Sequence, residues 1–73
     1  MEADLRRADL REASLQEAKF QGADLTGANL DGADFRAALG LTASQICSVA
    51  SRREIKLDES LQLQVDTLCG SIR

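Results

Sequence analysis

Five aspartates, Asp4, Asp9, Asp24, Asp31 and Asp34, are the residues of this 73-residue chain that most resemble an acid/base set. A general acid or base needs a carboxyl moved toward neutrality by burial or by a neighbouring like charge. Their placement argues for a solvated surface instead, because they fall on the polar phases of a regular pattern. The arginines Arg6, Arg7, Arg11 and Arg36 are interleaved with these acids, so they form no continuous stripe for phosphate. Gly22, Gly27 and Gly32 stand five apart, in step with their surroundings, and make no phosphate-cradling loop. The chain has no histidine, tryptophan, tyrosine or proline, so the commonest general base and metal ligand is missing. Two cysteines, Cys47 and Cys69, are a poor zinc site without histidine. The residues therefore predict no catalytic centre, no cofactor, no metal and no small-molecule substrate.

The elements that carry these residues are set by a five-residue period. Nine of the eleven alanines share one phase, from Ala3, Ala8, Ala13, Ala18, Ala23, Ala28 and Ala33 to Ala38 and Ala43. Two positions after the first seven come Leu5, Leu10, Leu15, Phe20, Leu25, Leu30 and Phe35. In an extended segment, residues two apart point to the same side and the one between them points away. That middle residue is Asp4, Asp9, Ser14, Lys19, Asp24, Asn29 or Asp34. The remaining two of each unit are polar or glycine, which suits a corner. Each unit thus reads as a very short strand and a turn, with alanine and the large apolar residue inside.

The run ADLRR, ADLRE, ASLQE, AKFQG, ADLTG, ANLDG and ADFRA resembles the pentapeptide-repeat proteins over residues 3–37. The resemblance implies an all-β repeat, a right-handed quadrilateral β-helix in which four units make one coil of about 20 residues. Seven units amount to under two coils. Leu5 would stack on Leu25, Leu10 on Leu30 and Leu15 on Phe35, at about the 4.8 Å spacing of neighbouring strands. Outside, Arg11 would face Asp31 and Asp4 would face Asp24.

The register breaks after Ala38. Thr42 to Gln45 reads as a capping box, with Ala43, Ile46, Cys47 and Ala50 on one helical face. Residues 51–57 carry no period and read as a connector or a fraying helix. Asp58 is placed to cap a second helix whose apolar seam is Leu61, Val65, Leu68 and Ile72, with Gly70 as its stop. The division expected is a repeat domain over 1–40 and a C-terminal α-helical cap over 41–73, with short helices at about 43–51 and 59–69. The helices would cover strand edges that otherwise recruit other chains. This tail is similar to those of some bacterial pentapeptide-repeat proteins. Cys47 and Cys69 either form a disulfide or are two buried thiols; the residues leave both open.

The first repeat begins at Ala3, so the leading coil reads as uncapped. It is either part of a longer repeat array or a surface for a protein partner or self-association, as in a dimer. With formal net charge -3 and no long apolar run, neither nucleic acid nor membrane is an expected partner. Cytoplasm is the default location, with periplasm or a lumen if the cysteines are bridged. Function reads as a non-catalytic structural or protein-interaction module. The alternative, carried by the resemblance, is a DNA-mimicking modulator of a type II topoisomerase. Residues 1–40 hold eight acids against five bases, whereas residues 41–73 hold four of each.

Overall fold

Every repeat closes with the same turn, and the turn explains the polar residues better than exposure does. We describe residues 4–70 of a computed structural model. The carbonyl of Leu5 accepts from the N–H of Ala8, Leu10 from Ala13, Leu15 from Ala18 and Phe20 from Ala23, and the second coil repeats the pattern. The last residue of each unit has positive φ, between 57 and 75°, whether it is Arg7, Glu12, Glu17, Gly22, Gly27, Gly32 or Ala37. A positive φ at the third position is the signature of a type II turn, which glycine adopts without steric penalty. The Asp or Asn ahead of the central apolar residue turns its side chain back along the chain. Asp4, Asp9, Asp24, Asn29 and Asp34 each accept from the backbone N–H two residues on, at 3.0–3.2 Å. Short carboxamide and carboxylate side chains favour this local bond.

The turns bring the chain back over itself every 20 residues. Asp4 pairs in parallel with Asp24, Asp9 with Asn29, Ser14 with Asp34 and Lys19 with Leu39. Each pairing is one residue long, so no continuous strand forms among the described residues. The register sets Leu5 over Leu25, Leu10 over Leu30 and Leu15 over Phe35. Leu25, Leu30, Phe35, Ala28 and Ala33 are at most 1% exposed, and Phe20 and Ala23 are also buried. Leu5, Leu10, Leu15, Ala8, Ala13 and Ala18 are only half-buried, because nothing among the described residues covers their outer side. The rings of Phe20 and Phe35 meet with centroids 5.1 Å apart and a 57° tilt, a favourable aromatic geometry. Ala3 and Ile72 lie outside the described residues.

Two helices follow: α1, Ala43–Cys47, and α2, Glu59–Cys69. Helix α1 is opened by the Thr42–Gln45 capping box. The Gln45 side chain also donates to the carbonyls of Phe20 and Ala23, at 2.7 and 2.9 Å, bolting the helix to a corner of the coil. It stops at Cys47, short of residue 51. The stretch 51–57 is not a connector or a fraying helix. Ser51 pairs in parallel with Asn29, and Lys56 with Asp34, so a third turn is laid on the second with a return of 22 residues. Helix α1 occupies one side of that turn and absorbs the two extra residues. Glu54, at φ 58°, takes the corner conformation used by Gly32 below it.

Helix α2 crosses the end of the stack and buries Val65. Three details differ from the sequence reading. Asp58 holds the N-cap position without capping, because its carboxylate accepts from the N–H of Ala37 at 2.8 Å. Leu68 is exposed, as is Leu63, so the helix buries a narrower seam than its apolar residues suggest. Arg11 leaves Asp31 for the nearer Asp9, and Asp31 instead accepts from Ser51 and from the N–H of Arg53.

Cys47 and Cys69 form a disulfide across the two helix ends, with their Cα atoms 5.9 Å apart. This corrects the cytoplasmic default, since reducing surroundings do not preserve such a bond. No helix is long and apolar enough to cross a membrane among the described residues.

Candidate functional site

Three regions were candidates for function: the charged flank, the helical cap and the open end of the first coil. On the flank, Arg6, Arg11 and Arg36 each grip the aspartate two residues earlier, Asp4, Asp9 and Asp34, through two guanidinium nitrogens at 2.7–3.0 Å. These forks form because the turn places the side chains on the same outer face. The side-chain bond from arginine, aided by the backbone N–H, lowers the pKa of Asp4, Asp9 and Asp34 to about 2. Asp24 is also lowered, first by the Thr26 hydroxyl, and Asp31 first by the Ser51 hydroxyl. Every one of these shifts runs opposite to that of a carboxyl poised as a general acid near neutrality. Asp4, Asp9, Asp24 and Asp34 are ionised staples of their own turns, and Asp31 holds the third turn instead. Arg7 takes part in no such fork among the described residues.

The interior offers equally little to chemistry. Every buried residue among those described is apolar, and no buried side-chain nitrogen or oxygen lacks a partner. No group of three or more acidic, cysteine or histidine residues could hold a metal among them.

In the cap, the sequence reading missed Arg52. The backbone bond from Leu30 N–H to the Ser51 carbonyl sets Arg52 over Leu30, at the phase that is large and apolar in the seven units from Leu5 to Phe35. Its guanidinium escapes the interior by donating to the carbonyl of Gly70 at 2.8 Å. The arginine therefore ties the third turn to the C-terminal end of α2, where helix carbonyls lack intrahelical partners. Ile55 and Leu57 continue the inward phases above Ala33 and Phe35. The signals available in the sequence were Ile55 and Leu57 two apart, with Glu54 at the corner position, but Arg52 broke the ladder that would have exposed them.

The outer edge of the first coil is built by the parallel ladder itself. Leu10 N–H bonds the Asn29 carbonyl and Asn29 N–H bonds the Ala8 carbonyl; Ser14 and Asp34 stand in the same relation, as do Lys19 and Leu39. Toward the second coil, the first coil thus uses the groups of Ala8, Leu10, Ala13, Leu15, Ala18 and Phe20. The N–H and C=O of Asp9, Ser14 and Lys19 point the other way and have no backbone partner among the described residues. Half-buried Leu5, Leu10 and Leu15 lie just inside this rim. At the other end, the second coil has its outward groups bonded by Ser48, Ala50, Ser51, Arg53 and Lys56.

No curated protein matches the chain. A family model for pentapeptide repeats matches eight copies over residues 1–39, one copy more than the seven units legible as Ala-x-Leu/Phe. That match spans more than half of the chain, and the turn, the 20-residue return and the alanine–leucine interior account for it residue by residue. The chain belongs to the pentapeptide-repeat family, whose repeats form β-helices and whose members are generally non-enzymatic structural modules.

Proposed function

We propose that this chain is a non-catalytic interaction module: a right-handed, four-sided β-helix, sealed at its C-terminal end, that offers the ladder edge of its first coil to another polypeptide. The handedness follows from the strong preference of parallel crossover connections for the right-handed path. The observation that carries the reading is the contrast between the two ends. One carries two helices, a disulfide and a third turn, whereas the other presents the N–H and C=O of Asp9, Ser14 and Lys19 above half-buried leucines. Exposed edge groups of this kind are templates for β-pairing.

The topoisomerase reading gains no support from the surface. Duplex mimicry needs an unneutralised acidic stripe, and Asp4, Asp9 and Asp34 are each paired with an arginine.

The test uses the chain's own second copy as the probe. Concentration-dependent association should slow amide exchange at Asp9, Ser14 and Lys19. Ser14→Pro removes a rim N–H that the described fold does not use, and it should weaken that association while leaving the circular dichroism unchanged. A chain that stays monomeric at millimolar concentration, or that associates equally well with proline at 14, would overturn the reading.

A further inference from the structure

We infer that the edge of the first coil pairs with a second copy of this chain, head to head across a twofold axis, in the one register that sets Lys19 opposite Asp4 and Asp9 opposite Ser14. The inference rests on the edge being the interaction surface and adds the occupant and its alignment.

A closed dimer brings the same surface of both copies together. The rim has four sides, named here by the residues that sit at their ladder positions: Asp4, Asp9, Ser14 and Lys19. A twofold axis perpendicular to the coil can pass through opposite sides or through opposite corners, which gives four registers. Through the Asp4 and Ser14 sides, Asp4 meets Asp4 and Ser14 meets Ser14, while Asp9 meets Lys19 twice. Through the Asp9 and Lys19 sides, both self-contacts are between like charges. Through the corner between Asp4 and Asp9, those two aspartates face each other twice. Only the axis through the corner between Asp9 and Ser14 opposes no like charges. It sets Lys19 against Asp4 twice and Asp9 against Ser14 twice.

Like charges directly opposite one another across a ladder are destabilising, and opposite charges help. Charge therefore selects the register, whereas the backbone bonds and the covered leucines, common to all four, supply the attraction. Asp4 keeps its Arg6 fork in this arrangement, so Lys19 adds a cation to a carboxylate already held in place.

Size limits the strength of the contact. The molecule measures 27 × 20 × 20 Å, so one face presents roughly 400–500 Å² and the pair would bury about 800–1,000 Å². That lies below the range of stable specific interfaces and among weak, transient contacts. The dimer should accordingly form at high concentration and dissociate on dilution.

Sedimentation equilibrium on the intact chain and two charge variants tests the register. Ser14→Lys places a cation opposite Asp9 at two symmetric positions and should tighten dimerisation about three- to tenfold. Lys19→Glu opposes Asp4 with a like charge and should loosen it by a similar factor. Both effects should shrink at high salt. Tightening by the first together with loosening by the second is unique to this register. If Ser14→Lys loosens the dimer, or Lys19→Glu leaves it unchanged, the register is overturned. The edge reading survives that result provided that Ser14→Pro still weakens association. A chain that never dimerises overturns both.

Discussion

The first coil and the third turn rest on opposite sides of the same well-packed second coil, and they are built by opposite means. The first coil obeys the repeat at every position yet leaves its large apolar side chains half-buried. The third turn obeys the repeat hardly at all, with Arg52 at a leucine phase and a helix in place of one side, yet it seals the structure. Repetition thus generates the stack, but it cannot end it. An end requires residues that bond the last rim of N–H and C=O groups without presenting another rim in turn, which is why terminal units of repeat proteins are atypical.

Substitution at one phase of two stacked coils measures this difference most strongly. Leu30→Ala removes a side chain that is fully buried and should destabilise the fold by about 3–5 kcal/mol in denaturant unfolding. Leu10→Ala, 20 residues earlier and half-exposed, should lose less than half as much. Equal losses would mean that the first coil is covered in solution, as the dimer predicts at high concentration, so both should be measured dilute and concentrated.

The disulfide is next. Reduction, or Cys69→Ser, frees a loop of 22 residues and should lower stability by about 3 kcal/mol. Thermal melts with and without a thiol reductant would show it, and an unchanged melting temperature would mean that packing of Val65 and Ile46 alone holds the cap.

Arg52→Ala should remove about 1–2 kcal/mol, the scale of a hydrogen bond from a charged donor that is partly exposed. Faster amide exchange confined to α2 would distinguish loss of its anchor from general loosening.

Acid should produce the smallest effect, confined to the first two coils. Asp4, Asp9 and Asp34 are held at a pKa of about 2 against an ordinary 3.8. Folded-state values below the unfolded one mean that their contribution is fully present above about pH 4 and is lost as pH falls toward 2. Asp9→Asn keeps an oxygen for the turn N–H but loses the ionised fork. It should flatten part of that acid dependence by removing at neutral pH the same small contribution that acid removes from the parent chain. Pair-by-pair titration by carboxyl NMR would check the values directly.

How much was legible can be read from particular residues. Alanine at every fifth position and leucine or phenylalanine two later specify which side chains are inside, because an extended segment alternates its faces. The turn was legible too, since Gly22, Gly27 and Gly32 mark the corner that Arg7, Glu12, Glu17 and Ala37 also occupy with positive φ. The role of the aspartates was legible only in part. Composition places them outside, but it does not distinguish a carboxylate dissolved in water from one that closes a turn and clasps an arginine. Arg11 shows why: Asp31 is a plausible partner one coil away, yet Asp9 wins because the turn already holds its carboxylate within reach. Asp58 likewise looks like a helix cap until the N–H of Ala37 claims it.

By itself, then, the amino-acid sequence determined the five-residue period, the inside and outside of each unit and where both helices begin, because these depend on neighbours within a few residues. The tertiary structure alone decided that residues 51–57 form a further turn of the stack and that Arg52 becomes the link to α2. Those outcomes depend on an unfilled rim of backbone groups on the second coil, on α1 taking up two extra residues, and on a carbonyl at the end of α2. The charged flank is the work of local spacing. Which backbone groups of the first coil face away from the second is the work of assembly, because only stacking determines which groups are bonded.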